Sequence, residues 1–141
     1  MIAPDGLRVL LLTSRETKRW VIPKGWPIRG LKPREVAARE AFEEAGLVGT
    51  IVGKRPVGSY HYSKQLIARP AVLCRVRVFL LSVDHQLEDW PEKAQREWCW
   101  VDPGRAAQMV TEGGLAEIIR DAFPLINRLV TKAAKRRRLP R

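Results

Sequence analysis

Apolar and polar positions along the 141 residues change their period several times, and each change marks an element. Residues 7–13 (LRVLLLT) are an apolar run that predicts a buried strand after a turn at Pro4-Asp5-Gly6. A polar loop over 14–19 leads to a short strand at 20–22 and then to Pro23-Lys24-Gly25-Trp26-Pro27. From 33 to 45 the composition is helical: alanine-rich, without a β-branched run, Pro33 in the first turn and Gly46 where a helix can end left-handed. Ala37, Ala38, Ala41, Phe42 and Ala45 are expected to form its apolar face, with Glu40, Glu43 and Glu44 on another. Strands are predicted over 48–52 and 56–62, around Gly53-Lys54-Arg55, followed by a basic loop over 63–70. The longest strand pattern covers 71–83, with Arg75 and Arg77 on the face of Leu73 and Phe79. After a polar loop over 84–95, a strand over 96–101 puts Arg96, Trp98 and Trp100 on one face and Glu97, Cys99 and Val101 on the other. A short helix over 104–110 and a last helix from Leu115, interrupted at Pro124, complete an α+β chain with a mixed sheet between helices.

The length fits one domain, assigned to 1–131, with a basic tail over 132–141. Without an apolar run near 18 residues or a charged-then-apolar leader, the expectation is a cytoplasmic protein that does not enter the membrane. Cys74 and Cys99 are expected to be reduced packing residues. Charge changes the picture: 26 basic against 15 acidic residues give a net charge of +11. Six of the basic residues lie in the tail, so the remainder still carries +5. Such a balance favours a polyanionic partner, a densely phosphorylated small molecule or nucleic acid.

Against that background the acids of the 33–45 helix are badly placed. Like charges at i and i+4 destabilise a helix, by roughly 0.2–0.5 kcal/mol per pair. Carboxylates in the last turn also meet the negative end of the dipole, at about 0.3–1 kcal/mol each. Glu40, Glu43 and Glu44 break both rules, which points to a bound cation. With oxygen donors and no adjacent His or Cys, the cation expected is Mg²⁺ or Mn²⁺.

The spacing Gly25, Arg39-Glu40, Glu43-Glu44, Gly46-Leu47 resembles the signature box of the Nudix hydrolases, G-x5-E-x7-R-E-U-x-E-E-x-G-U. The resemblance implies the Nudix α/β/α sandwich and metal-dependent hydrolysis of a pyrophosphate linkage. It carries metal ligation to the Gly25 carbonyl, Glu40, Glu43 and Glu44. The first Glu of the box falls on Leu31, and Glu35, four residues before Arg39, is expected to take over the ion pair that orients the arginine. Family members usually open with a strand of small apolar residues. This chain starts almost inside its first hairpin, which suggests a shortened start or a bare edge open to a second subunit, so monomer and homodimer both stay open.

Leu87-Glu88-Asp89-Trp90 and Arg96-Glu97-Trp98, with 43–49 reading EEAGLVG, are similar to the diphosphoinositol polyphosphate phosphohydrolase branch, whose members also cleave diadenosine polyphosphates. That similarity implies phosphate contacts at Arg19 and Arg96, to which Lys24 and Lys64 add charge at neighbouring loops. Glu44 is the first choice of general base and Glu40 the second, with Glu88, Asp89 or Glu92 as alternatives from the loop; Arg39 orients the carboxylates. Trp26 shields the site or stacks on a flat substrate group, and His61 is a strand residue with a polar packing role. The rival reading is a catalytically weak nucleic-acid or polyphosphate-binding module of the same fold, gripping phosphates through its basic tail.

Overall fold

The computed structural model describes residues 2–3 and 6–138 of the chain. Two short strands, β1 (Ile2–Ala3) and β2 (Gly6–Leu7), pair ahead of β3 (Val9–Thr13). Strand β3 is the centre of the molecule. It pairs antiparallel with β4 (Trp20–Val21) on one edge and with β9 (Trp98–Val101) on the other. Between β4 and β9 the chain forms helix α1 (Pro33–Ala45), strands β5 (Leu47–Val52), β6 (Gly58–Leu66), β7 (Arg69–Val78) and β8 (Leu80–Gln86), and a 3₁₀ turn at Lys93–Gln95. Helices α2 (Pro103–Met109) and α3 (Gly113–Arg138) follow.

The apolar run of β3 has no polar face because both of its faces are covered. Leu10 and Leu12 pack with Val21, Ala41, Ala45 and Leu47 on the α1 side, where Trp100, Leu81 and Val83 close the layer. Leu11 points the other way, into Tyr60, Val78, Ala106, Ala107, Val110, Leu115, Ala116 and Ile119, with Cys99 and Val101 beside them. The alternation predicted for 96–101 thus divides between the two layers. Helix α2 starts on Asp102, whose carboxylate accepts the Arg105 N–H at 3.0 Å.

Several expectations are corrected. All strand pairings among the described residues are antiparallel, where a mixed sheet was expected. The 71–83 stretch is two strands that part at Phe79, since β7 pairs with β6 and β8 with β5. The 63–70 segment is not a loop: Ser63 and Lys64 pair with Leu73 and Val72, and the turn is confined to Ile67 and Ala68. On α1 the buried positions are Val36, Ala41, Glu44 and Ala45, whereas Phe42 is 41% exposed. One hundred degrees of rotation per residue separates Phe42 from Ala41, and the strand layer lies on the Ala41 side. Helix α3 runs through Pro124 to Arg138, so residues 132–138 of the expected tail continue the helix. Residues 139–141 lie outside the described residues, as do Pro4 and Asp5 of the expected turn. No helix among the described residues is long and apolar enough to cross a membrane.

Candidate active site

The site is built where the end of α1 meets the 86–92 segment. A helix leaves its last carbonyls without intrahelical partners. Gly46 is left-handed, with φ 67°, and caps α1 through its own N–H. The next carbonyls are taken by one segment. Glu92 N–H donates to the Glu43 carbonyl at 3.0 Å and Leu87 N–H to the Gly46 carbonyl at 2.8 Å. The Trp90 indole N–H donates to the Glu44 carbonyl at 3.1 Å, and the Gln86 amide to the Ala45 carbonyl at 3.0 Å. Trp90, only 6% exposed, lies flat enough against Gly46 that any Cβ there would overlap its ring. The glycine is needed both for its backbone angle and for that approach.

This docking delivers a fourth acid. Single carboxylate oxygens of Glu40, Glu43 and Glu92 lie within 4.8 Å of one another, all half-buried. Burial pushes the Glu40 carboxyl above its ordinary range, and the neighbouring charges of Glu43 and Glu92 push it further. Gly25 is packed on the same side chain, since a Cβ there would overlap the Glu40 carboxyl group. Three hard oxygen donors in mutual repulsion, one of them raised by the other two, suit a divalent cation such as Mg²⁺ or Mn²⁺.

Glu44, expected as a ligand beside Glu40 and Glu43, is not one of these three. Its oxygens are already engaged: Oε1 pairs with Arg96 Nη2 at 2.9 Å and Oε2 accepts the Lys24 N–H at 3.1 Å. At 7% exposed, its carboxyl is pushed up to about 7 by burial, against the opposing pull of Arg96 and the Lys24 hydrogen bond. A buried carboxyl that titrates near neutrality is suited to exchanging a proton with a reacting group.

Arg96, expected as a phosphate contact, lines the cleft with its side chain 9% exposed and engaged by protein partners. It pairs with Glu92 at 3.2 Å as well as with Glu44, and donates through Nη1 to the Thr13 carbonyl at 3.1 Å. Thr13 holds the neighbouring Glu97 through its own N–H and through Oγ1, so the end of β3 fixes the base of the arginine. Arg39 reaches Glu43 at 3.1 Å, one turn ahead, and not Glu35, so it neutralises an acid of the cluster. Arg19 is exposed at the cleft wall, and His61 lies exposed in β6, paired with Arg75.

Lys24 extends into the same cleft, with Nζ 4.9 Å from the centroid of Tyr62, and burial lowers its pKa below the ordinary lysine value. Lys64 Nζ sits 4.9 Å from the centroid of Trp26. Glu92 and Trp90 are the residues whose roles sequence reasoning gave only in part. Glu92 was one acid among several in a polar loop. The signal available for both was the helix end at 43–46, which required partners from some other segment.

The α+β fold thus gathers two carboxylates of the glycine-capped helix α1 and one from the 86–92 segment beside the buried Glu44. The NUDIX domain family model matches residues 1–122, and the chain belongs to that family. Among curated proteins it is 36% identical over 108 residues to Nudix hydrolase 12, mitochondrial, of Arabidopsis thaliana, covering 74% of this chain and 53% of the relative. It is 32% identical over 102 residues to diphosphoinositol polyphosphate phosphohydrolase 3-beta of Bos taurus, covering 67% of this chain and 55% of the relative. The chain therefore spans a little over half the length of these two relatives. Among solved structures, the C. elegans Ap4A hydrolase superposes with a TM-score of 0.55 at 16% identity, covering 84% of this chain and 86% of that one, a likeness of fold.

Proposed function

We propose that this chain hydrolyses phosphoanhydride bonds in a densely anionic small molecule, a diphosphoinositol polyphosphate or a diadenosine polyphosphate, with Mg²⁺ or Mn²⁺. The observation that carries the reading is the trio of Glu40, Glu43 and Glu92 next to a buried Glu44 whose carboxyl titrates near 7. Glu40, Glu43 and Glu92 would hold the cation, with the Gly25 carbonyl beside Glu40 as a further donor. When bound, the cation supplies Lewis acidity toward phosphoryl oxygens. Glu44 is the general base: it takes the proton of the water that attacks phosphorus as the bridging P–O bond breaks and the phosphate leaving group departs. Lys24, Lys64 and Arg19 offset the charge of the substrate and leaving group from the cleft wall. Arg96 positions Glu44 and Glu92, and Arg39 positions Glu43.

The test is phosphate release with Mg²⁺ from both substrates and from a nucleoside triphosphate. Hydrolysis of either polyphosphate, reduced at least about 100-fold in Glu44→Gln, supports the reading. A preference for the simple triphosphate, or full activity in that variant, overturns it. The net charge of +11 favours the rival binding module as a second reading. Under it, nucleic-acid affinity falls steeply with salt and survives Glu44→Gln.

A further inference from the structure

The proposed reading leaves two substrate classes, and Trp26 separates them. Of the large apolar side chains, an exposed one beside a catalytic cleft needs a reason, and Trp26 is 57% exposed. It belongs to neither core layer. It follows Gly25, whose backbone lies against Glu40, so the indole is anchored one residue from the carboxylate trio. Pro23 and Pro27 limit the backbone freedom of the same short stretch. Strand β6 supplies two partners: Lys64 stands over the Trp26 ring and Tyr62 lies under Lys24, each pair at 4.9 Å. Aromatic surface and ammonium groups thus alternate along one wall, Trp26–Lys64 outside and Tyr62–Lys24 inside, where Lys24 is closer to Glu44.

Ammonium groups alone would serve a substrate that is phosphate throughout. An indole held open among them adds nothing for a saturated, fully phosphorylated ring, which has no π face. It adds a stacking surface for a planar heterocycle joined to a phosphate chain, the arrangement in which aromatic side chains and cations share the work of binding nucleotides.

We infer that Trp26 and Lys64 form a subsite for the planar base of a nucleotide-bearing polyphosphate, with the adjoining phosphates at Lys24. This rests on the proposed hydrolase reading for its place beside the reaction centre, and its test is a binding measurement that does not depend on turnover. Calorimetry in the presence of Mg²⁺ would compare ADP with inorganic pyrophosphate, for the full chain and for Trp26→Ala and Trp26→Phe. Stacking is worth about 1–3 kcal/mol per base, so Trp26→Ala should weaken ADP by roughly 5- to 150-fold and pyrophosphate by much less. Trp26→Phe, which keeps a π face, should recover most of the ADP affinity. Quenching of tryptophan fluorescence by ADP, lost in Trp26→Ala, gives the same answer by a second signal. Equal weakening of both ligands in Trp26→Ala, no weakening of either, or no ADP binding by the full chain overturns the subsite, even where hydrolysis is observed. A tryptophan-dependent preference for ADP without any polyphosphate hydrolysis upholds the subsite and overturns the hydrolase reading instead.

Discussion

Glu44 is the residue at which folding and chemistry compete. Its carboxyl is raised from an ordinary value of 4.5 to about 7 because burial outweighs the favourable pull of Arg96. The folded state therefore holds this proton more tightly than the unfolded chain. Stability from this source is complete below about pH 4.5 and is lost as pH rises through about 7. Metal-free protein should accordingly melt at a lower temperature at pH 8 than at pH 6. One proton sets the slope at no more than about 1.4 kcal/mol per pH unit, and Glu44→Gln should flatten it. A melting temperature equally pH-dependent in that variant would assign the effect elsewhere. Arg96 is the complementary case. Removing it takes the ion-pair partner from both Glu44 and Glu92 and leaves Glu44 only the Lys24 N–H, so Arg96→Ala should cost on the order of 3–5 kcal/mol in urea unfolding. A cost below about 1 kcal/mol, the level of a surface pair, would contradict its burial.

Between elements, the decisive contact is the one that seats residues 86–92 on the end of α1. Trp90→Phe keeps the ring packing but leaves the Glu44 carbonyl without its donor, and should cost about 1–3 kcal/mol. It should also weaken Mg²⁺ binding, because Glu92 rides on the same segment; unchanged Mg²⁺ affinity would separate the loop from the cluster. This is also where legibility in the sequence ends. Helix α1 could be read because Pro33, its alanines and Gly46 are local signals, acting within a turn or two of themselves. The acids of α1 could be read as anomalous for the same reason. Their division into a trio and a separate buried Glu44 could not, because it depends on Arg96 and Glu92, about fifty residues away in the chain. The acid partners of Arg96 were equally illegible: a basic residue in a basic chain gives no sign of which acid it will meet. Within strands, alternation located the two faces of 96–101, but nothing local at Phe79 marked the change of partner that divides β7 from β8.

For the molecule as a whole, positive charge surrounds a negative centre. A net charge of +11 attracts polyanions, while the carboxylate trio repels them until its charge is met. Cation binding should therefore stabilise the whole fold as well as the site. At a concentration 100 times its dissociation constant, Mg²⁺ should add about 2.7 kcal/mol, measurable as a rise in melting temperature that a chelator reverses. Glu92→Gln should reduce that rise, and a Mg²⁺-insensitive melting curve in the native protein would remove the cation from the trio. Strand β3 transmits the gain, since Thr13 at its end holds Arg96 and its leucines fill both core layers.

The sharing of the last three α1 carbonyls and that of Gly46 with one segment has a dynamic consequence. Those contacts make the helix terminus and the segment a single opening unit, so the amide protons of Leu87 and Glu92 should exchange with deuterium at matched rates. Any fluctuation that frees one would scatter the acids together. The protein would then lose the proposed cation site and the proposed general base in the same event, passing between assembled and dismantled with no half-formed centre between.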